Sequence, residues 1–325
     1  MTPPFRVAAF GLALAAVFAA SVGLGTLTGP GRPSIATHSA GDNHAGDNHA
    51  DGPAAADSGG APVPGGLQVA QDGYRMVPLT SALALGTAQP FRFQILGPDG
   101  APVTRYTTNH DKDLHLIVAR RDLSGYQHVH PTLDSAGTWS APLAVAAPGQ
   151  YRVFADFTPA GRNGLTLGVD VPAPGEYQPV PLPPPGRTAT VAGYTVTLDG
   201  ALVPGASATL TLTVSRDGAP VTDLQPYLGA YGHLVALRDG DLAYLHVHPD
   251  GAPGDGRTAA GPQVIFHAEV PSAGAYRLYL DFQHAGRVHT AEFTALAGTA
   301  PTTAPTPATA TAEPPGHDQP GHDHG

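Results

Sequence analysis

Six of the sixteen histidines in this chain recur at one spacing. His115 leads, thirteen residues on, to His128-Val129-His130-Pro131, and His233 leads in the same way to His246-Val247-His248-Pro249. An offset of 118 positions relates the two sets, and the same offset carries Asp99–Thr104 (DGAPVT) onto Asp217–Thr222. Histidines at i and i+2 of a strand share one face, about 6.5–7 Å apart. Both imidazoles can then reach one cation lying about 2 Å from each nitrogen. A third nitrogen must come from a neighbouring strand, and His115 and His233 stand at the starts of strands that lead through short turns into the paired histidines. With turns read at Asp122–Gly125 and Asp239–Asp241, counting sets His115 opposite a residue several positions beyond His130. Such histidines could equally face solvent or cap buried carbonyls.

The candidate metal ligands are thus His115, His128 and His130 in the first copy and His233, His246 and His248 in the second, with His289 as a fourth ligand there. The remaining histidines are asymmetric: His110 in the first copy, and His267 and His284 in the second. Asp156 and Asp281, in matching Asp-Phe pairs, could orient a ligand imidazole from behind or serve in a salt bridge or turn. The chain has no cysteine, and its methionines are Met1 and Met76 alone. Thiolate sites, disulfides and a thioether copper(I) cage are excluded with them. Imidazole ligation suits copper(II), zinc or nickel, and intrinsic affinity favours copper(II).

The elements that must position these side chains read as strands. Residues 67–174 and 187–297 form two copies of one domain, separated by a stiff Pro-rich spacer over 175–186. In the first copy, strand-like runs span 74–79, 91–96, 114–120, 128–132, 138–145, 151–157 and 165–171. The second copy offers 194–198, 208–215, 233–238, 243–248, 263–270, 276–282 and 289–295. Alternation supports them: Tyr276, Leu278, Leu280 and Phe282 share one face, as do Tyr151, Val153, Ala155 and Phe157. About seven short strands per copy, bounded by turns, are the signature of a β-sandwich, and the chain's 41 glycines and 35 prolines argue against long helices. The fold class is all-β. Beyond Pro249 the offset grows to 125, so the second copy gains seven residues, placed in the loop APGDGRT.

Flanking segments differ in kind. Val7–Leu27 is an uncharged apolar run preceded by Arg6, which reads as a signal peptide or signal anchor within residues 1–28. Residues 29–66 and 298–325 are low-complexity tracts without the apolar side chains to offset ordering entropy, and read as disordered. They hold His38, His44, His49, His317, His322 and His324, a composition that collects divalent ions loosely. The formal net charge of −10 leaves no basic face for nucleic acid. The chain has no HExxH, no G-x-S-x-G elbow and no phosphate loop, and no general base recurs in both copies, so no enzyme is expected.

The segments DLHLIVARRDLSGYQHVHP and YLGAYGHLVALRDGDLAYLHVHP, each followed by a G-x-Y-R strand ending in Asp-Phe, resemble domains of secreted bacterial, often actinobacterial, heavy-metal-binding or YtkA/FixH-like proteins. The resemblance covers about 74–297. It implies tandem immunoglobulin-like sandwiches outside the cytoplasm that handle copper or another heavy metal, with the two His/HxH sets as ligands. A membrane metal transporter or sensor is expected as the partner that takes delivery. His110 fits an upstream histidine of that family, whereas the second copy has Leu228 there. The alternative expectation is a non-catalytic cell-surface interaction module of tandem immunoglobulin-like domains, either secreted or membrane-anchored.

Overall fold

The computed structural model describes residues 63–298; the apolar run, the linker histidines and the C-terminal tail lie outside the described residues. For His246 and His248 the backbone is described, and their side chains lie outside the described part. Among the described residues no helix is long and apolar enough to cross a membrane.

Runs of β-branched and aromatic residues between glycine and proline turns form eighteen strands. The first repeat contains β1 (Ala70–Gln71), β2 (Tyr74–Pro78), β3 (Gln89–Leu96), β4 (Leu114–Arg120), β5 (Gln127–Val129), β6 (Thr132–Leu133), β7 (Thr138–Leu143), β8 (Gly149–Phe157) and β9 (Leu165–Ala173). The second contains β10 (Thr188–Val191), β11 (Tyr194–Asp199), β12 (Ser207–Arg216), β13 (Ala219–Pro220), β14 (His233–Arg238), β15 (Tyr244–Pro249), β16 (Gln263–Glu269), β17 (Gly274–His284) and β18 (Arg287–Ala297). Four short edge strands, β1, β6, β10 and β13, extend the seven-strand expectation.

In the first repeat, a sheet in the order β1-β2-β3-β7-β6 faces a sheet in the order β5-β4-β8-β9. Pairing of β3 with β7 and β4 with β8 gives antiparallel crossovers between the sheets, as in immunoglobulin-type sandwiches. The second repeat keeps the order, but β15 pairs with both β14 and β16, so its two sheets run into one. In the first repeat the equivalent strand is broken into β5 and β6 around His130-Pro131, although the same His-Pro pair of the second repeat lies within β15. Each repeat also carries a tyrosine corner. Tyr151 Oη donates to Ala147 O at 2.8 Å, and Tyr276 Oη donates to Ser272 O at 2.9 Å.

Each sandwich has its own core, centred on Phe91, Phe93, Trp139 and Val153 in the first and on Leu212, Phe266, Leu278 and Phe282 in the second. Strands of the outer sheets alternate buried and exposed, as β12 does. Strand β4 does not: all seven of its residues are buried, which means that both of its faces are covered. The cover on the second face is the other repeat. Ile117, Ala119, Leu123 and Phe154 pack against Val235, Leu237, Leu242, Tyr244 and Tyr279 in a third apolar cluster. A fully buried side chain of this size is worth roughly 1.5–3 kcal/mol, so the seam between the repeats is a core in its own right. Tyr126 stacks on Tyr279 with ring centroids 3.9 Å apart, and Tyr279 Oη donates to Leu123 O at 2.5 Å.

The Pro-rich spacer runs along the seam, with Val180 N donating to Asp122 at 2.7 Å and Leu182 packed on the shared cluster. One expectation is corrected here: the hairpin register differs from the count. The chain reverses earlier than the turn assumed, with Arg120 N donating to Ser124 O, Leu123 N donating to Arg120 O, and Leu123 buried at φ 66°. The ladder therefore pairs Leu116 with Val129 and Ile117 with His128, and its continuation faces His115 with His130. The second repeat repeats this register, Leu234 with Val247 and Val235 with His246.

Candidate metal centre

The corrected register makes the candidate site. His115, the second residue of β4, is paired on one side with Asp156 of β8 and on the other faces His130. His128 lies two residues before His130 on the same face. His115 Nδ1 is 3.1 Å from His128 Nε2 and 3.2 Å from His130 Nε2. Ligand nitrogens arranged tetrahedrally around a divalent ion at 2.0–2.1 Å are about 3.3–3.4 Å apart, so His115 Nδ1 already stands close to that spacing from each of the other two. A group that could hold a metal ion is present here, formed by His115, His128 and His130.

The outward nitrogens of His115 and His128 decide which tautomer each presents. His115 Nε2–H donates to the backbone carbonyl of Asn109 at 3.1 Å, which leaves Nδ1 as a bare lone pair turned toward the other two rings. Asn109 is placed by a tight turn to Lys112 whose central residues, His110 and Asp111, have φ of 48° and 61°. His128 Nδ1–H donates to Asp281 Oδ2 at 2.9 Å, which leaves its Nε2 free to face inward. Asp281 belongs to the second repeat, where it is paired with His233. It is fixed there by Thr290 Oγ1, which donates to Oδ1 at 2.6 Å, and Tyr126 Oη reaches its other oxygen at 3.4 Å.

Burial sets the protonation state. His115 is pushed down to about 4, first by desolvation, opposed by the Asn109 carbonyl and helped by neighbouring imidazoles. Desolvation and the charges of His128 and His115 hold His130 at about 3. Both therefore offer unprotonated nitrogens at neutral pH, the form a cation requires.

His233 reproduces the setting of His115. Its Nε2–H donates to the carbonyl of Tyr227 at 2.8 Å, the residue that matches Asn109 in the repeat. The turn from Tyr227 to Ala230 again has its central residues, Leu228 and Gly229, at positive φ. Burial lowers His233 to about 4. Tyr244 Oη donates to Asp156 at 3.3 Å, mirroring Tyr126 and Asp281. His233 lies close to the first triad, its ring 6.2 Å from His128 and 5.3 Å from His110. One cavity in the seam is lined by His110, His115, His128 and Asp156 together with His233 and Tyr244.

The backbone gives His246 and His248 the register positions of His128 and His130. His289 stands elsewhere. It is paired with Phe282 and packs against Tyr194, 4.6 Å between rings, on the opposite side of the strand from Asp281 and Thr290. His284 lies in the same group, 2.7 Å from Tyr194 Oη and 3.0 Å from Asp223. His289 is thus not brought to His233, because its partner Phe282 belongs to the core face. His267 is exposed, on the strand next to β15.

Sequence reasoning did not find the carbonyls of Asn109 and Tyr227, since a backbone acceptor leaves no side-chain signal. Tyr126 and Tyr244 could have been found: they share the offset of 118 and stand two residues before the paired histidines.

A family model described as Domain of unknown function (DUF8832) matches the chain twice, over residues 68–177 and 189–299. No curated protein matches it. Among solved structures, a Salmonella alpha-2-macroglobulin is similar at 15% identity over 73% of this chain and 15% of its own, with a TM-score of 0.24. An alpha-2-macroglobulin of E. coli is similar at 15% identity over 70% of this chain and 14% of its own, with a TM-score of 0.23. Invasin, a bacterial integrin-binding protein, gives 14% identity over 68% of this chain and 39% of its own, with a TM-score of 0.20. The chain spans about one-seventh of the length of the two alpha-2-macroglobulins.

Proposed function

This chain belongs to the DUF8832 family in both of its repeats, and we propose that it is an extracytoplasmic metal-binding protein that holds copper(II), or zinc or nickel, in the seam between them. The observation that supports this reading most directly is the convergence of three imidazoles, with His115 Nδ1 3.1 Å from His128 Nε2 and 3.2 Å from His130 Nε2, and with outer hydrogen bonds that turn His115 and His128 inward. An apolar lining, neutral imidazoles and a carboxylate behind one ligand are what a stable divalent site needs. Copper(II) leads because nitrogen ligands rank it above zinc and nickel in intrinsic affinity. The apolar run at Val7–Leu27 and the absence of cysteine agree with export, and the His-rich tails would collect ions loosely for the seam. A membrane transporter or sensor would take delivery.

The test is calorimetric titration of the full chain with copper(II) and with zinc. His38, His44, His49, His317, His322 and His324 are replaced by serine and His246 and His248 by alanine, so that neither the tails nor the second set contributes. Sub-micromolar binding that disappears in His115→Ala/His130→Ala supports the reading. Binding no tighter than that of the tails alone, and indifferent to those substitutions, overturns it.

A further inference from the structure

We infer that the metal site of the first repeat is completed by the second: Asp281 is the positioning residue for His128, so ion binding and docking of the two repeats are one coupled event. This rests on the reading of the His115, His128 and His130 group as a metal site.

The argument starts from the row of residues across β4, β8 and β9. Asp156 is paired with His115 and with Thr166, so the nearest carboxylate on its own sheet stands beside His115. The acceptor that His128 uses is instead Asp281, on β17 of the other repeat, at 2.9 Å. Both side chains are nearly fully buried, at 6% and 4% exposure. Asp281 is held from two sides, by Thr290 of its own sheet at 2.6 Å and by Tyr126 of the first repeat at 3.4 Å. It is therefore a preset acceptor, and His128 can keep Nε2 free for a cation only while the second repeat is docked. The mirrored pair, Tyr244 of the second repeat on Asp156 of the first at 3.3 Å, gives Asp156 the corresponding place toward the second set. A bound ion then ties β5, β4 and, through Asp281, β17 into one unit.

The experiment uses the full chain with its six tail histidines replaced by serine and with His246→Ala/His248→Ala, so that the first triad is read alone. Copper(II) affinity is measured by competition with a chromogenic chelator, alongside the electron paramagnetic resonance spectrum. Loss of an outer carboxylate partner typically weakens a metal site roughly 10–100-fold. Asp281→Asn is expected to weaken binding by that factor and to shift the copper(II) spectrum. Tyr279→Phe, which removes a hydrogen bond across the seam without touching His128, is expected to leave affinity within about two-fold and the spectrum unchanged. Thr290→Val, which frees the other oxygen of Asp281, gives a smaller loss in the same direction and covers the case in which Asp281→Asn folds poorly. Equal affinity in Asp281→Asn and its parent, or an equal loss in Tyr279→Phe, overturns the inference while leaving the metal site standing. A parent chain that binds no copper(II) overturns the reading on which it rests.

Discussion

His115 Nε2 lies 3.1 Å from the carbonyl oxygen of Asn109, and that contact decides which nitrogen of His115 faces the other two rings. The same relationship holds between His233 and Tyr227 at 2.8 Å. Two turns with left-handed central residues thus do one job twice, presenting a carbonyl to a buried imidazole so that its Nδ1 stays bare.

Replacing that acceptor geometry is expected to act on the ion and not on the fold. His110→Pro, at a φ of 48° that proline cannot adopt, should displace the Asn109 carbonyl and weaken copper(II) binding roughly 10–100-fold. Competition with a chelator measures it, and circular dichroism shows whether the sandwich persists.

Removal of a ligand is expected to cost more than removal of a partner behind it. His130→Ala should exceed the roughly 10–100-fold loss typical of an outer partner. Because His130 is only half-buried, the metal-free melting temperature should change little, and differential scanning calorimetry reads both quantities.

The metal-free protein should lose stability as pH falls from about 6.5 toward 4. His115 and His233 are lowered to about 4 and His130 to about 3 by burial, against about 6.5 in the unfolded chain. In that window the unfolded chain takes up protons that the folded chain refuses, so stability rises with pH. It is full above the unfolded value and is lost as pH drops through the folded ones. Urea midpoints at pH 7, 5.5 and 4.5 should fall in that order.

The fold was largely legible because its signal is local. Alternation at Tyr151–Phe157 and Tyr276–Phe282, together with turn residues between runs, located fourteen of the eighteen described strands to within a few residues. The site was legible only in part. The paired histidines and the constant offset singled out His115, His128 and His130, which the fold brings together, but the register that joins His115 to His130 depends on where the chain reverses after Arg120, which no turn rule announces. The seam had a signal that alternation analysis passes over. Leu116-Ile117-Val118-Ala119 and Leu234-Val235-Ala236-Leu237 do not alternate at all, and a strand apolar on both sides must be covered on both. What covers it is non-local, and so is the reach of Asp281 to His128.

That seam should make the two repeats unfold together. Phe154 and Tyr279 are fully buried in the shared cluster, and truncating a buried aromatic costs roughly 3–5 kcal/mol. The parent chain should show one transition in urea, whereas Phe154→Asp, which puts a charge into the cluster, should show two. Intrinsic fluorescence of Trp139, in the first repeat, against far-ultraviolet circular dichroism of the whole separates the cases.

A bound ion should stabilise the chain by mass action, about 4 kcal/mol at a thousand-fold excess over the dissociation constant. In a parent carrying His246→Ala/His248→Ala, the rise in melting temperature should vanish on adding His115→Ala/His130→Ala.

The most direct measurement is X-ray absorption on the chain loaded with one equivalent of copper(II), with the tail histidines replaced by serine and with His246→Ala/His248→Ala. At least three imidazole nitrogens are expected at roughly 2.0–2.1 Å, the distance for imidazole on a divalent ion, with loss of that imidazole pattern in His115→Ala/His130→Ala. A spectrum without imidazole scattering, or one identical in the double variant, would contradict the proposed metal site.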